Sequence, residues 1–329
     1  MDRPLVALIM AGGTGTRLYP ASRSDRPKQF LPLLGDDSLL SQTVSRAGFA
    51  DERFVCTAEE HVDLVRKHAP EAGVLVEPEP KDTGPALVYA THRIREQVGD
   101  CVLLCLPSDH HIEGDFETTA RRAASVAVET QGVVTVGIEP DRPSTGYGYI
   151  EPGDDLCGYF SVSKFREKPD RSTAIRFVED GFYWNAGLFA WTPDAFLQAA
   201  RDSPLEPLVT ALEDGDPNRG FDAISPTSVD YAIMERTDDA FVVPAEFDWD
   251  DLGSWDAFER FDSGENVLLS DALTIDATGN IVAGDKHVSL VDVENLVVAA
   301  YDDRVLVVPK SEAQRVREVV AELREEDRF

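Results

Sequence analysis

Lysine is scarce in this chain: seven of its 31 basic residues, set against 61 acidic ones, leave a formal charge of −30 over 329 residues. Such a field repels polyanions, so nucleic acid and anionic membrane surfaces are excluded as partners. The acid excess reads as a solvated surface suited to high salt, and phosphate chemistry would have to gather the few cations at one site. Cysteine is sparse as well. Cys56, Cys101, Cys105 and Cys157 form no CxxC pair, and three lie in or beside apolar segments. They read as buried free thiols in a reducing compartment. No apolar run approaches the roughly 20 residues of a membrane helix. Leu5–Met10 is too short for a signal peptide and enters Gly12 and Gly13 without a small-residue cleavage site. It is expected to be a buried strand of a cytoplasmic protein.

What is present suits a packed core: 43% of residues are hydrophobic. The first part of the chain alternates strand and helix. Leu5–Met10, Val74–Val76, Cys101–Leu106 and Gly132–Ile138 read as strands. Between them, Thr57 and Glu60 predict a capping box opening a helix to about Ala69. Pro85–Val98 presents Ala86, Leu87, Ala90, Ile94 and Val98 on one helical face. The pattern predicts an α/β fold with a doubly wound, mainly parallel Rossmann-like sheet. Its ligands are expected beyond the carboxyl ends of the strands. From Gly264 the pattern changes to short strands at Leu273–Ile275, Asn280–Val282, Val288–Val291, Leu296–Ala300 and Val305–Val308, separated by Gly, Asn and Asp turns. A last helix is expected to open on a Ser311–Gln314 capping box and to bury Val316, Val319, Val320 and Leu323. Two domains are therefore expected, 1–263 for catalysis and 264–329 as a β-rich extension available for homodimer contact. No internal repeat is evident.

The strongest chemical signal is AGGTGTRLYPASRSDRPKQFL, from Ala11 to Leu31. A strand runs into Gly12, Gly13 and Gly15, which let the backbone approach phosphate oxygens. Arg17 and Lys28 add two cations. The order fits neither a Walker loop nor a dinucleotide fingerprint. GGTGTRLYP followed by PKQFL resembles the signature of the nucleotide-sugar pyrophosphorylases, and PKQF resembles their mannose-1-phosphate guanylyltransferase branch. The resemblance continues in order through LPSDHHI (Leu106–Ile112), TGYGYIE (Thr145–Glu151), FREKPD (Phe165–Asp170), WNAGLFAW (Trp184–Trp191), SVDYAIME (Ser228–Glu235) and DWDDLGSWDAF (Asp248–Phe258). It spans nearly the whole chain.

The resemblance implies a role for particular residues. Ala11, Gly12, Gly13 and Gly15 would bind the nucleotide, with Arg17 on the triphosphate and Lys28 near the transferring phosphate. Asp109 and Asp251 would hold Mg²⁺, a hard cation that prefers oxygen ligands. Asp248 and Asp250 compete for the second position, and the spacing to Gly253 favours Asp251. Glu167, Asn185 and the backbone at Gly148 would take the hexose, and Lys168 its phosphate. On a strand Glu167 and Lys168 would face opposite ways, so a bend at Pro169 is expected. EPEPKDTGPA, Glu77–Ala86, resembles the family's EPxxxNTAPA stretch, which binds base and ribose, and places Glu77 and Thr83 in the nucleotide set. Asp82 stands where asparagine is usual and Gly84 where alanine is usual. A carboxylate only accepts where an amide also donates, which loosens the base assignment.

The implied reaction joins GTP and mannose 1-phosphate. The sugar phosphate attacks the α-phosphorus in line and expels pyrophosphate, giving GDP-mannose. A phosphate is already ionised near neutral pH, so no general base is required. Two other readings stay open: a pyrophosphorylase for another base or hexose, and a non-catalytic sugar-nucleotide-binding subunit. The latter is disfavoured by the presence of Arg17, Lys28, Asp109, Lys168 and Asp251. Bifunctional relatives carry a phosphomannose isomerase domain. This chain ends early for one and lacks a histidine-rich metal pattern, so isomerase activity is not expected.

Overall fold

Leu5–Met10 is flanked on both sides by parallel strands, and this centres the first of two compact units. The computed structural model describes residues 3–13, 15–261, 264–326 and 328–329. The expected boundary at Ser263 lies outside them. Each unit is discontinuous in sequence. One comprises 1–12, 43–108 and 112–249; the other comprises 13–42, 109–111 and 250–329.

The larger unit is built on a nine-stranded sheet. Its strands lie in the order Gly73–Val76, Glu52–Thr57, Leu5–Met10, Val102–Pro107, Tyr183–Trp191, Val133–Ile138, Ala240–Pro244, Phe160–Arg166 and Tyr149–Asp155. The first four pair in parallel, as does Val133–Ile138 with Ala240–Pro244. Phe160–Arg166 and Tyr183–Trp191 run against the rest. The sheet is thus mainly parallel in direction, with helices in the crossovers, as the alternating pattern predicts. Helix Thr83–Val98 buries Ala86, Leu87, Ala90 and Ile94. Trp191 stacks on Phe196 at 3.8 Å in the same core. The chain leaves this unit after Gly12 and after Ser108, at the carboxyl ends of two hydrogen-bonded strands (Met10 pairs with Pro107).

Thr57 does not cap a helix. It ends its strand, and its hydroxyl donates to Ala11 O at 3.0 Å. Glu59–His61 forms a 3-10 turn before the helix Val62–His68. The hydroxyl is better used where it satisfies a buried carbonyl than at an exposed helix end.

The second unit corrects the reading of the tail as unrepeated. Val267–Leu269, Ile281–Gly284 and Leu296–Tyr301 stack in parallel, as do Ala272–Ile275 and Val288–Val291. These are successive coils of a β-helix. At one corner Asn266, Asn280 and Asn295 recur. The fully buried Asn280 donates its amide to Asn266 Oδ1 (3.0 Å) and Val293 O (3.1 Å) and accepts from Leu296 N (3.0 Å). Asp276, Asp292 and Asn295 take left-handed backbone at the turns, a conformation that Asp and Asn tolerate best after glycine. One coil face packs Val267, Ile281 and Val297 with Leu18, Trp255 and Phe258. The last helix, Val316–Glu325, follows a 3-10 turn, Lys310–Arg315, rather than a capping box. Val316 and Val320 are buried, whereas Val319 is 42% exposed.

Candidate functional site

In the second unit one lysine organises the expected phosphate and metal residues. Lys28 opens a 3-10 turn, Lys28–Phe30, and its side chain is 5% exposed. Its ammonium meets Asp109 Oδ2 at 2.8 Å and the backbone oxygen of Asp251 at 2.6 Å. Burial by itself would raise the Asp109 carboxyl, but the Lys28 ammonium and His110 outweigh it and hold the pKa below the ordinary carboxylate value. Burial likewise keeps the His110 imidazole below its usual value, against the pull of Asp109.

The loop beneath this lysine requires glycine. Gly15 sits at φ 65°, and a Cβ there would lie 2.3 Å from Lys28 Cβ. Gly13 has nothing within 4 Å of an added Cβ, so its backbone is open to a ligand. Arg17 is half-buried and reaches Gln314 Oε1 at 3.4 Å.

Among the neighbouring aspartates, Asp250 is already committed. It accepts from Leu252 N (2.8 Å) and pairs with Arg260 (2.5 Å). Asp251 accepts from Gly253 N (3.1 Å) beside Leu252, which is held at φ 45°. Among the described residues no group of three or more His, Cys, Asp or Glu side chains could hold a metal by itself. Two carboxylates, completed by water and ligand phosphate, still match the donor preference of a magnesium ion.

The larger unit carries two further groups of predicted residues. At the ends of its first three strands, Ala11 N donates to Cys56 O (2.8 Å) and Glu77 N donates to Thr57 O (3.0 Å). Glu77 is 6% exposed, and its Oε2 has no hydrogen-bond partner. A Cβ on Gly12 would stand 3.3 Å from Glu77 Oε1. Burial, helped by the charge of Glu60, pushes the Glu77 carboxyl up to about 7. Asp82, at φ 73°, caps the helix that follows by accepting from Thr83 N (2.7 Å). The Thr83 hydroxyl accepts from Val229 N (3.0 Å). Gly84 lies where a Cβ would meet Thr227 O at 2.7 Å, so alanine does not fit there without movement.

The last group contains Gly148, Glu167, Lys168 and Asn185. The strand Phe160–Arg166 ends before Glu167. The turn that follows comes at Lys168 itself, held at φ 43°, and not only at Pro169. Lys168 Nζ lies 2.5 Å from Glu167 Oε1. Partial burial opposes the ammonium, but the bond to Glu167 and the charges of Glu167 and Asp230 raise its pKa. Gly148 lets the Glu167 carboxylate lie close over its backbone, since a Cβ would come within 2.6 Å of Glu167 Oε2 and push that side chain aside. Asn185 N donates to Gly148 O at 2.8 Å. Tyr147 lies edge-on to both Trp184 (5.0 Å) and Trp249 (5.1 Å).

Asp230 is not singled out by the sequence, yet it belongs to this group. Asn185 Nδ2 donates to its Oδ1 at 2.9 Å. Burial and the nearby Glu167 push its carboxyl up to about 6. The available signal is a lone carboxylate in a helical stretch whose neighbours Val229, Ala232, Ile233 and Met234 are all buried.

Comparison with known proteins identifies the family. Residues 6–265 match the nucleotidyl transferase family, and residues 270–323 match the mannose-phosphate isomerase/GMP-like β-helix domain. The chain is 36% identical to the mannose-1-phosphate guanylyltransferase of Escherichia coli, over 98% of its own length and 75% of that protein. It is also 36% identical to the xanthan biosynthesis protein XanB of Xanthomonas campestris pv. campestris, over 97% and 73%. A crystal structure from Thermus thermophilus, described as a mannose-1-phosphate geranyltransferase, superposes with a TM-score of 0.92 at 34% identity, covering 98% of this chain and 99% of that one. At 17% identity and a TM-score of 0.53, a UDP-glucose pyrophosphorylase shares the fold. No helix among the described residues is long and apolar enough to cross a membrane. The chain is an enzyme of the nucleotidyl transferase family, in the branch whose members include the mannose-1-phosphate guanylyltransferases.

Proposed function

We propose that this enzyme transfers GMP from GTP to mannose 1-phosphate, giving GDP-mannose and pyrophosphate. The observation that carries the reading is Lys28, a buried cation in a chain of net charge −30, held against Asp109 and the backbone of Asp251. A sequestered ion pair carries a desolvation penalty, and a site where polyanions and a divalent cation bind is a reason to keep one.

In the proposed reaction an oxygen of the sugar phosphate forms a bond to the α-phosphorus of GTP. The bond from that phosphorus to the oxygen bridging to the β-phosphate breaks, and its electrons leave with pyrophosphate. No proton needs removing from the nucleophile. Asp109 and Asp251 would hold Mg²⁺, which would neutralise phosphate charge when bound. Arg17 and the open backbone at Gly13 bind the triphosphate, with Gly15 turning the loop tightly over Lys28. Lys28 stabilises charge growing at the reacting phosphorus. Ala11, Gly12, Glu77 and Thr83 form the base and ribose side. A guanine edge offers two adjacent N–H donors, which suit the ionised form of the Glu77 carboxyl and would favour its ionisation on binding. Lys168 exchanges Glu167 for the sugar phosphate, while Gly148, Glu167 and Asn185 line the hexose.

A nucleotide-by-sugar panel tests the proposal: each NTP with mannose, glucose or fucose 1-phosphate and Mg²⁺, with products identified by mass. GDP-mannose should dominate. A different dominant product would reassign the base or hexose, and no pyrophosphate release with any pair would defeat the catalytic reading.

A further inference from the structure

Asn185 is the residue that the family resemblance assigns to the hexose, yet its side-chain amide is almost fully occupied by protein. Its Oδ1 accepts from the Thr135 hydroxyl at 3.0 Å and from Gly187 N at 3.1 Å. Those two bonds use both lone pairs of the oxygen. One of the two Nδ2 hydrogens goes to Asp230 Oδ1 at 2.9 Å. Thr135 is fully buried on the strand Val133–Ile138. The series Thr135, Asn185, Asp230 therefore runs from the core outward and ends on a carboxylate.

That carboxylate is held in a costly place. Asp230 begins a five-residue π-helix, Asp230–Met234, a rare geometry that often marks functional positions. The charge of Glu167 pushes its carboxyl up, and that of Lys168 pulls it down. Lys168 in turn adopts left-handed backbone, which is strained for a non-glycine residue. Two carboxylates that feel each other's charge, one strained lysine and a glycine at Gly148 close under Glu167 are hard to explain as packing. They are well suited to a ligand that brings one phosphate and several hydroxyl donors.

We propose that Asp230 reads a hydroxyl of the hexose directly, and that Asn185 is the positioning residue that fixes the Asp230 carboxylate. This deepens the sugar-phosphate reading of the same group of residues and rests on it. When the sugar phosphate draws Lys168 away from Glu167, the two carboxylates lose their shared cation. Sugar hydroxyls then supply the donors that Glu167 and Asp230 lack. The site thereby requires phosphate and hydroxyls together, and inorganic phosphate alone satisfies only the lysine.

The test compares wild type with Asp230→Asn, which keeps the shape and removes the acceptor-only carboxylate. Wild-type turnover of GTP with mannose 1-phosphate is measured first; its absence would defeat the substrate reading, independently of Asp230. Given that turnover, D230N should raise KM for mannose 1-phosphate by about tenfold to a hundredfold, the worth of a hydrogen bond to a charged group. KM for GTP should stay within about twofold. A panel of monodeoxy mannose 1-phosphates then locates the contact. The analogue lacking the hydroxyl read by Asp230 should be penalised by wild type but not by D230N, while the other penalties persist. Asn185→Ala should act in the same direction and add little to D230N. Asp230→Glu, which keeps the charge but displaces it, serves the same panel if D230N does not fold. An unchanged KM for the sugar phosphate, or deoxy penalties that no Asp230 variant alters, would overturn the assignment.

Discussion

Lys28 and Lys168 are both proposed to face phosphate, but their surroundings are opposite. Lys28 is enclosed, with its side chain 5% exposed, and is bound by one carboxylate and one backbone oxygen. Lys168 is 61% exposed, strained at its own φ, and bound to the adjacent Glu167. An enclosed cation has little freedom and suits charge that develops at a fixed place. An exposed, strained one exchanges partners at low cost and suits a substrate that arrives and leaves.

The largest effect should come from Lys28→Met. It removes the cation and leaves Asp109 without its ion-pair partner, so kcat should fall about 10³-fold and the thermal midpoint should drop. A midpoint equal to wild type would show that the enclosure of Lys28 is not structural. Lys168→Gly should instead cost about 10²-fold in kcat/KM for mannose 1-phosphate while raising the midpoint, since glycine relieves the left-handed backbone. Equal behaviour of the two variants in melting experiments would erase the contrast.

Glu77→Gln sharpens the comparison at the base. An amide can accept from N1–H of a purine and donate to a C2 carbonyl, but it opposes the 2-amino group of guanine. Use of GTP should fall about 10²-fold, and XTP should become the better substrate. Continued preference for GTP would remove Glu77 from base recognition. The same variant has a pH signature. The Glu77 carboxyl titrates at about 7 in the folded protein against 4.5 in a free chain, so the folded state binds the extra proton between those values. Its contribution to stability is full below about 4.5 and declines as pH rises towards 7. Urea melts of E77Q should lack that decline.

Salt gives the smallest effect. The exposed Lys168 should be screened in molar KCl, raising KM for mannose 1-phosphate a few-fold, whereas the buried Lys28 pair is insensitive. The acidic surface, relieved of self-repulsion, should raise the melting midpoint. A midpoint that falls with KCl would contradict the high-salt reading.

The elements legible in sequence are those with strong local patterns. Leu5–Met10 and Val288–Val291 are found where their apolar runs predict them. Capping boxes mislead at Thr57, whose hydroxyl goes to Ala11 O, and at Ser311, where the Gln314 side chain is bound by Ser254 and Arg17 instead. The β-helix is hidden because its coils repeat through Asn266, Asn280 and Asn295 at unequal intervals, and each strand is only a few residues long. Asp230 lies within a recognisable motif but does not stand out there, since nothing local distinguishes a carboxylate that caps a turn from one that faces a ligand.

The amino-acid sequence alone determined the alternating strand and helix order, the glycine loop, the acid excess and the inventory of chemically capable residues, because these depend on neighbours within a few positions. Only the tertiary structure decided which of them share a charge. Lys28 meets groups 81 and 223 positions away, Asn185 meets Asp230 across 45, and Asp250 is withdrawn by Arg260. Electrostatic and hydrogen-bond energies fall off over a few ångströms, so partners that far apart along the chain are chosen by folding and by nothing earlier.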